Sequence, residues 1–348
     1  MKVNLKEFHQ QTSPEPVSPE IPLIEFLSPS QVKNFVPAPE LFMVGDCHIM
    51  RGNVFVIGGA PGVGKSRGLV ALAIAGATKQ DWFGLKVHRR FKTLIIQTEN
   101  GRYRMSKELA ELECSVLDDY LRISPPPPYG LLFGRADFRT QVSDAIADFV
   151  PDLIGLDPWN AAAREQDSKE YLDTFAALRS VLPPGDDAPA LGIVAHTRKP
   201  RADERASGRA LLNLLAGSYV LESVPRTVFV IQAASDDTTD DRVVWTCCKN
   251  NDGKLGSRSA WYRQNGLFVE IPDFDFEAFD MSEKDRREKI TQADVEAIFK
   301  DGPLKKADAR IGLEDRTGAS RASIFRALNP KGRFAEHLQF EKGKISWK

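Results

Sequence analysis

The chain is poor in the residues that build metal centres and disulfide frameworks, with four cysteines and five histidines in 348 residues. Cys47, Cys114, Cys247 and Cys248 form no Cys-x-x-Cys pair and have no His at ligand spacing. Neither a zinc site nor a disulfide scaffold is indicated, and four buried thiols are expected. Long apolar runs are also missing. No stretch approaches the ~18 uninterrupted apolar residues of a membrane span, and the N-terminus is acidic and Pro-rich where a leader peptide would be apolar. The expected setting is the cytoplasm, with no membrane partner. Nor does one charge dominate, since the formal net charge is −1. Its distribution is uneven: Lys284 to Lys348 holds 16 Lys/Arg against 10 Asp/Glu. Such a tail is compatible with nucleic-acid binding and equally with a solvated mixed-charge surface.

What is present decides more. Gly59-Ala60-Pro61-Gly62-Val63-Gly64-Lys65-Ser66 satisfies the phosphate-loop pattern, and Arg67 follows it. The loop lies between a β-branched and aromatic run, Asn53 to Ile57, and the Ala/Leu-rich helix former Leu69 to Ala77. In that setting the glycines let backbone N–H groups turn toward phosphates, the helix N-terminus adds partial positive charge, and Lys65 reaches the outer phosphates. Ser66 would then hold Mg²⁺. The implied ligands are ATP and Mg²⁺.

Around this loop the chain divides by composition. Residues 1–43 form a Pro-rich arm, with seven prolines from Pro14 to Pro39 between short apolar clusters; it packs on a protein surface or is disordered. Residues 44–275 alternate strands and helices, the pattern of an α/β domain with a mostly parallel twisted sheet. Residues 276–288 read as a charged linker. In residues 289–348, Thr291 to Phe299 is a helix with Asp294 at the capping-box position. A second helix covers Arg321 to Leu328, and Phe334 to Trp347 reads as a hairpin. Helices followed by a terminal hairpin suggest a small winged-helix-like domain, with Ser320 to Leu328 as its recognition helix.

Four polar features fall at carboxyl ends of strands, where open α/β sheets place function: the phosphate loop, Glu99, Asp157 and His196. Asp157 ends the apolar run Leu153 to Leu156, as the acid that holds Mg²⁺ through its water shell should. Pro158 follows it, so a base beside that Asp is missing. Glu99, after Thr93 to Gln97, is the candidate to orient and deprotonate the attacking water; the bland reading is a surface acid in a turn. Gly155 is odd inside a strand.

The phosphate loop, Gln97-Thr98-Glu99, Asp157-Pro158, Ala195-His196-Thr197-Arg198-Lys199, Gly217-Ser218 followed by Arg226, and Lys249-Asn250 together resemble the RecA-type ATPases. Within these they are most similar to the RepA-like hexameric helicases of plasmids and phages, over about Val44 to Ile271. The resemblance implies a RecA-like P-loop core, Glu99 as catalytic base, and His196 as a sensor of the terminal phosphate that relays its state to DNA-contacting loops. It also implies Arg226 as an arginine finger inserted into a neighbour's site, so that ATP lies between subunits of a homo-oligomer, possibly a hexamer. His196 as a buried histidine, Arg226 paired with a local carboxylate such as Glu222, and Lys249 as the cation supplied in trans all stay open. The basic loop Arg198 to Arg209 is the candidate contact for single-stranded DNA. The loop after Asp157, Ala161 to Glu170, lacks an aromatic platform.

Two functions compete on these residues. The first is a Mg²⁺-dependent ATPase coupled to binding, translocation or remodelling of single-stranded DNA, a replicative or mobile-element helicase among the possibilities. The second is an ATP-controlled DNA-binding regulator or loader without unwinding activity. A small-molecule kinase is disfavoured because no arginine-rich lid is visible.

Overall fold

The computed structural model describes residues 24–163, 167–185, 188–198, 206–217, 219–235, 237, 239–264, 266–280, 290–319, 321–330, 332, 334–341 and 343–348. The chain separates into two units, residues 1–39 and 40–348. In the first, α1 (Pro29–Lys33) is closed by a capping box between Ser28 and Gln31. Phe26, Val32, Phe35 and Val36 of this unit are exposed. The arm ends a few residues earlier than position 43, because Phe42–Val44 (β1) already pairs with Ile49–Met50 (β2) in the second unit.

The second unit is organised by a nine-stranded sheet. Its parallel part comprises β3 (Val54–Gly59), β4 (Thr93–Gln97), β5 (Leu121–Ile123), β6 (Leu153–Asp157), β7 (Ala190–His196) and β8 (Thr227–Ala233). An antiparallel extension adds β9 (Arg242–Asn250), β10 (Ser259–Gln264) and β11 (Leu267–Glu270). The order is β11-β10-β9-β8-β3-β7-β6-β4-β5. The helices are α2 (Lys65–Thr78), α3 (Arg102–Leu109), α4 (Ala136–Phe149), α5 (Trp159–Ala162), α6 (Ser168–Arg179), α7 (Val220–Ser223) and α8 (Phe276–Asp280). This is the α/β, RecA-like P-loop core.

The central strands β3, β4, β6 and β7 are buried almost throughout, and apolar apart from Thr93 and the polar residues at their carboxyl ends, because helices cover both faces. Val54 and Val56 enter one core with Leu94, Ile96, Leu156 and Ile193. Phe55 and Ile57 enter the other with Leu69, Leu72, Ile95 and Val194. Helix α2 is buried on several sides, which its small residues permit. A Cβ on Gly155 would lie 2.8 Å from Leu69 Cδ2, so the glycine inside β6 makes room for the Leu69 side chain of α2.

Residue 276 does not begin a linker. Helix α8 buries Phe279 against Val244 and Ala260, which holds it to the sheet. The rest of the expected linker, residues 281–288, lies outside the described set. Beyond it come α9 (Gln292–Ile298), β12 (Leu304–Lys305), α10 (Lys306–Thr317), α11 (Arg321–Ala327), β13 (Leu338–Glu341) and β14 (Lys344–Trp347), with the strands ordered β12-β14-β13. The Thr291–Asp294 capping box is formed. These elements enclose their own core, including Val295, Leu313, Ile324, Leu328 and Ile345.

Candidate active site

Gly59 ends β3 and Lys65 begins α2, so the phosphate loop turns between them. The turn needs left-handed backbone at Gly62 (φ +76°) and Gly64 (φ +105°), conformations that glycine alone adopts without strain. A Cβ on Gly59 would lie 2.7 Å from the Ile231 carbonyl and 2.8 Å from Val63, so this glycine is dictated by packing. Ala60, Pro61 and Val63 complete the loop, and the Val63 side chain anchors it in the core.

Four strand ends bring the expected side chains to one cleft of about 360 Å³. It is lined by Pro61, Gly62, Gly64, Lys65, Ser66, Arg67, Glu99, Asp157 and His196, together with Asn100 and Arg104. The convergence follows from register, since Gly59 is opposite His196 across β3 and β7 and Gln97 is opposite Asp157 across β4 and β6.

The Lys65 ammonium is buried, donating to the Ala60 carbonyl at 2.8 Å and lying 3.2 Å from His196 Nδ1. Burial lowers its pKa to about 8, with the charges of Asp157 and Glu99 opposing. Burial, then the Lys65 charge, also lowers the pKa of His196. A neutral imidazole beside an ammonium is the consistent state, with His196 Nδ1 accepting. Asp157 is 3% exposed. Burial pushes its pKa up to about 6, while a hydrogen bond from the Ser66 hydroxyl and the Lys65 charge act the other way.

Asp157 Oδ1 is buried and has no hydrogen-bond partner. A carboxylate oxygen orphaned beside the Ser66 hydroxyl is a donor set that fits a hydrated divalent cation, and Mg²⁺ favours such oxygen ligands with retained water. The loop and its positive-φ glycines likewise fit a polyphosphate.

Glu99 is exposed at the cleft, two residues beyond β4. Its position is set by Gln97, whose side chain donates to the Asn100 carbonyl at 2.9 Å and accepts from the Asn100 N–H at 2.7 Å. Gln97 also donates to the Ser124 carbonyl at 2.8 Å, tying the Glu99 turn to the segment after β5.

Arg226 and Lys249 are not brought to this cleft. The Arg226 N–H bonds the Val54 carbonyl, at the start of β3, whereas the loop follows its end. Five residues of strand, roughly 16 Å, lie between. The partner of the Arg226 guanidinium is Asp252, reached by both Nε and Nη2, rather than Glu222. Lys249 donates to the Glu222 and Ser223 carbonyls at 2.7 and 3.2 Å. Of the basic loop, residues 199–205 lie outside the described set, as do 164–166 of the loop after Asp157. Arg198 Nε donates to the Asn213 carbonyl, and Arg209 is exposed. Cys247 and Cys248 are buried, but Cys47 and Cys114 are only half-buried; all four are free thiols.

Two cationic residues escaped the sequence reading. Arg104 on α3 lines the cleft and donates to Glu108 at 3.2 Å, while Arg67 approaches the same carboxylate at 4.0 Å. Arg263 on β10 donates through Nη1 to the Gly62 carbonyl at 2.7 Å and through Nη2 to Asp241 at 2.9 Å. It holds the phosphate loop from outside. No local pattern marks Arg263, because its partner is about two hundred residues away in sequence.

Residues 21–201, more than half of the chain, match a family model described as AAA domain. No curated protein matches the chain. Among the described residues, no helix is long and apolar enough to cross a membrane.

Proposed function

The chain belongs to the AAA-domain family and is a P-loop ATPase, and from that premise we propose that it hydrolyses ATP with Mg²⁺ and couples the cycle to single-stranded DNA as a homo-oligomer of the RepA-like helicase kind. The observation that carries the reading is the meeting of Lys65, Ser66, Glu99, Asp157 and His196 in one cleft.

Each residue has a task set by its position. The loop N–H groups and Lys65 bind the phosphates, with Lys65 giving up its contact to Ala60 and His196 for a phosphate oxygen. Ser66 and Asp157 hold Mg²⁺, which when bound supplies positive charge to the phosphate oxygens. Glu99 accepts a proton from the attacking water, whose oxygen bonds to the γ-phosphorus as the bond to the β–γ bridging oxygen breaks. The products are ADP and inorganic phosphate. The contact of His196 with Lys65 supports its reading as the residue that registers whether the outer phosphate is present.

Arg226 and Lys249 lie too far from their own cleft to serve it. If either stabilises the reaction it does so in a neighbouring subunit, and Arg226 would first have to leave Asp252. Coupling to DNA rests on the basic composition of Arg198 to Arg209 and on the family resemblance.

Steady-state hydrolysis with and without single-stranded DNA, with Lys65→Ala as blank, tests the proposal. Stimulation of the Lys65-dependent rate by the strand is expected. A Lys65-dependent rate indifferent to the strand would overturn the coupling and leave a DNA-independent ATPase.

A further inference from the structure

The last sixty residues carry a second, separate surface that the ATPase reading does not use. Only a three-residue connection separates α10 from α11. Gly318 sits in it in the left-handed region, φ +60°, and caps α10 through its N–H to the Glu314 carbonyl. Two helices joined by a short glycine turn are the helix-turn-helix arrangement, in which the second helix enters the DNA major groove. The full order α9, β12, α10, α11, β13, β14, with β14 between β12 and β13, adds a three-stranded sheet whose last two strands form a hairpin beside this pair.

The exposed face of α11 has the composition such a role needs. Ile324, Ala327 and Leu328 turn into the small core. Arg321 and Phe325 point out, with Phe325 56% exposed. The Lys306 ammonium, from the start of α10, lies 4.0 Å from the Phe325 ring centre. An exposed aromatic ring capped by a cation supplies both an apolar contact for bases and a charge for phosphates. Between Asp315 and Glu336 the sequence has no carboxylate and five cations, Arg316, Arg321, Arg326, Lys331 and Arg333. Among these, Arg316 is turned away by its pair with Asp294 at 2.9 Å, and Arg321 has Glu314 only at 4.0 Å. The basic excess of the C-terminal region is thus concentrated on and around one helix, with Glu314 of α10 the carboxylate that faces Arg321.

We infer that residues 290–348 bind double-stranded DNA, with α11 in the major groove and Arg321, Phe325 and Lys306 at the contact. This surface needs no nucleotide and none of the residues assigned to hydrolysis, so it stands or falls independently of the ATPase proposal. It would let the protein grip duplex while the ATPase core acts on a strand.

The experiment uses the full chain without nucleotide and a fluorescein-labelled 30-base-pair duplex pool with a randomised core, read by anisotropy at about 50 and 150 mM salt, the range over which phosphate contacts show. Lys65→Ala is expected to bind the duplex as the unaltered chain does. Lys306→Glu/Arg321→Glu is expected to bind at least roughly tenfold more weakly, with a salt slope reduced by about one to two. An acidic residue is favoured in the first turn of a helix, so Lys306→Glu does not threaten α10. Phe325→Ala, at an exposed position, gives a charge-neutral second variant and is expected to lose part of the duplex affinity and none of the thermal stability. Unchanged duplex binding in both the double variant and Phe325→Ala, or binding of single strand alone, would overturn the inference.

Discussion

Lys65 Nζ lies 3.2 Å from Nδ1 of His196, across the parallel pair β3 and β7. Both groups are pushed toward their neutral forms by burial, and the Lys65 charge further lowers the His196 pKa. The imidazole should therefore titrate below 6.5, its ordinary value. In Lys65→Met the midpoint should move up, because an adjacent positive charge has gone. Nuclear magnetic resonance titration of the His196 ring protons reads this directly; a midpoint unchanged by the substitution would separate the two side chains electrostatically.

Asp157 has a clear linkage sign. Its folded-state pKa, about 6, lies above the ordinary 3.8. The stabilising contribution is therefore present below about 3.8 and lost as pH rises through about 6, and at pH 7.5 the buried charge costs stability. Asp157→Asn should melt higher than the unaltered chain at pH 7.5 without nucleotide, by roughly 1–3 kcal/mol, and the gap should close near pH 4. The same substitution should abolish Mg²⁺-dependent turnover. Scanning calorimetry at the two pH values, beside a turnover assay, checks both halves.

Arg263 grips the Gly62 carbonyl and Asp241 together. Removing it frees the phosphate loop without touching the chemistry. Arg263→Ala should weaken ATP binding by roughly three- to thirtyfold, the range expected for one charge-assisted hydrogen bond in a partly exposed place, and leave turnover at saturation largely intact. Binding titration with a fluorescent ATP analogue and a KM against kcat comparison separate these effects.

Gly155→Ala places a methyl group against Leu69, where a Cβ would come within 2.8 Å of Cδ2. Overpacking of this kind costs about 1–3 kcal/mol. The Leu69 side chain must move to relieve it, and if it carries α2 with it nucleotide affinity should fall together with stability; thermal denaturation and ATP titration of the same sample test the coupling.

Much of the site was legible because it obeys local rules. The phosphate loop is contiguous, and Glu99, Asp157 and His196 announce themselves as polar residues ending apolar strands. Arg104 and Arg263 are invisible to such rules, since only folding brings α3 and the β10–β11 hairpin to the cleft. Helix α10 was missed for a different reason. Only Ala309 and Leu313 of its twelve residues are buried, so its apolar stripe is too thin to read against many charges. Gly155 looked like a defect in sequence and is a packing requirement in three dimensions. The antiparallel strands β9 to β11 were visible as strands, but their position beside the phosphate loop was not.

The central claim is that Glu99 activates water at a cleft that binds ATP without it. Glu99→Gln keeps size and shape while removing the base, so the measurement is ATP affinity and single-turnover hydrolysis by that variant beside the unaltered chain. The account predicts affinity within about threefold and a hydrolysis rate lower by roughly 10²–10⁴, the range for losing a general base. Hydrolysis at close to the original rate would contradict it and move the search for the base to another residue of the cleft.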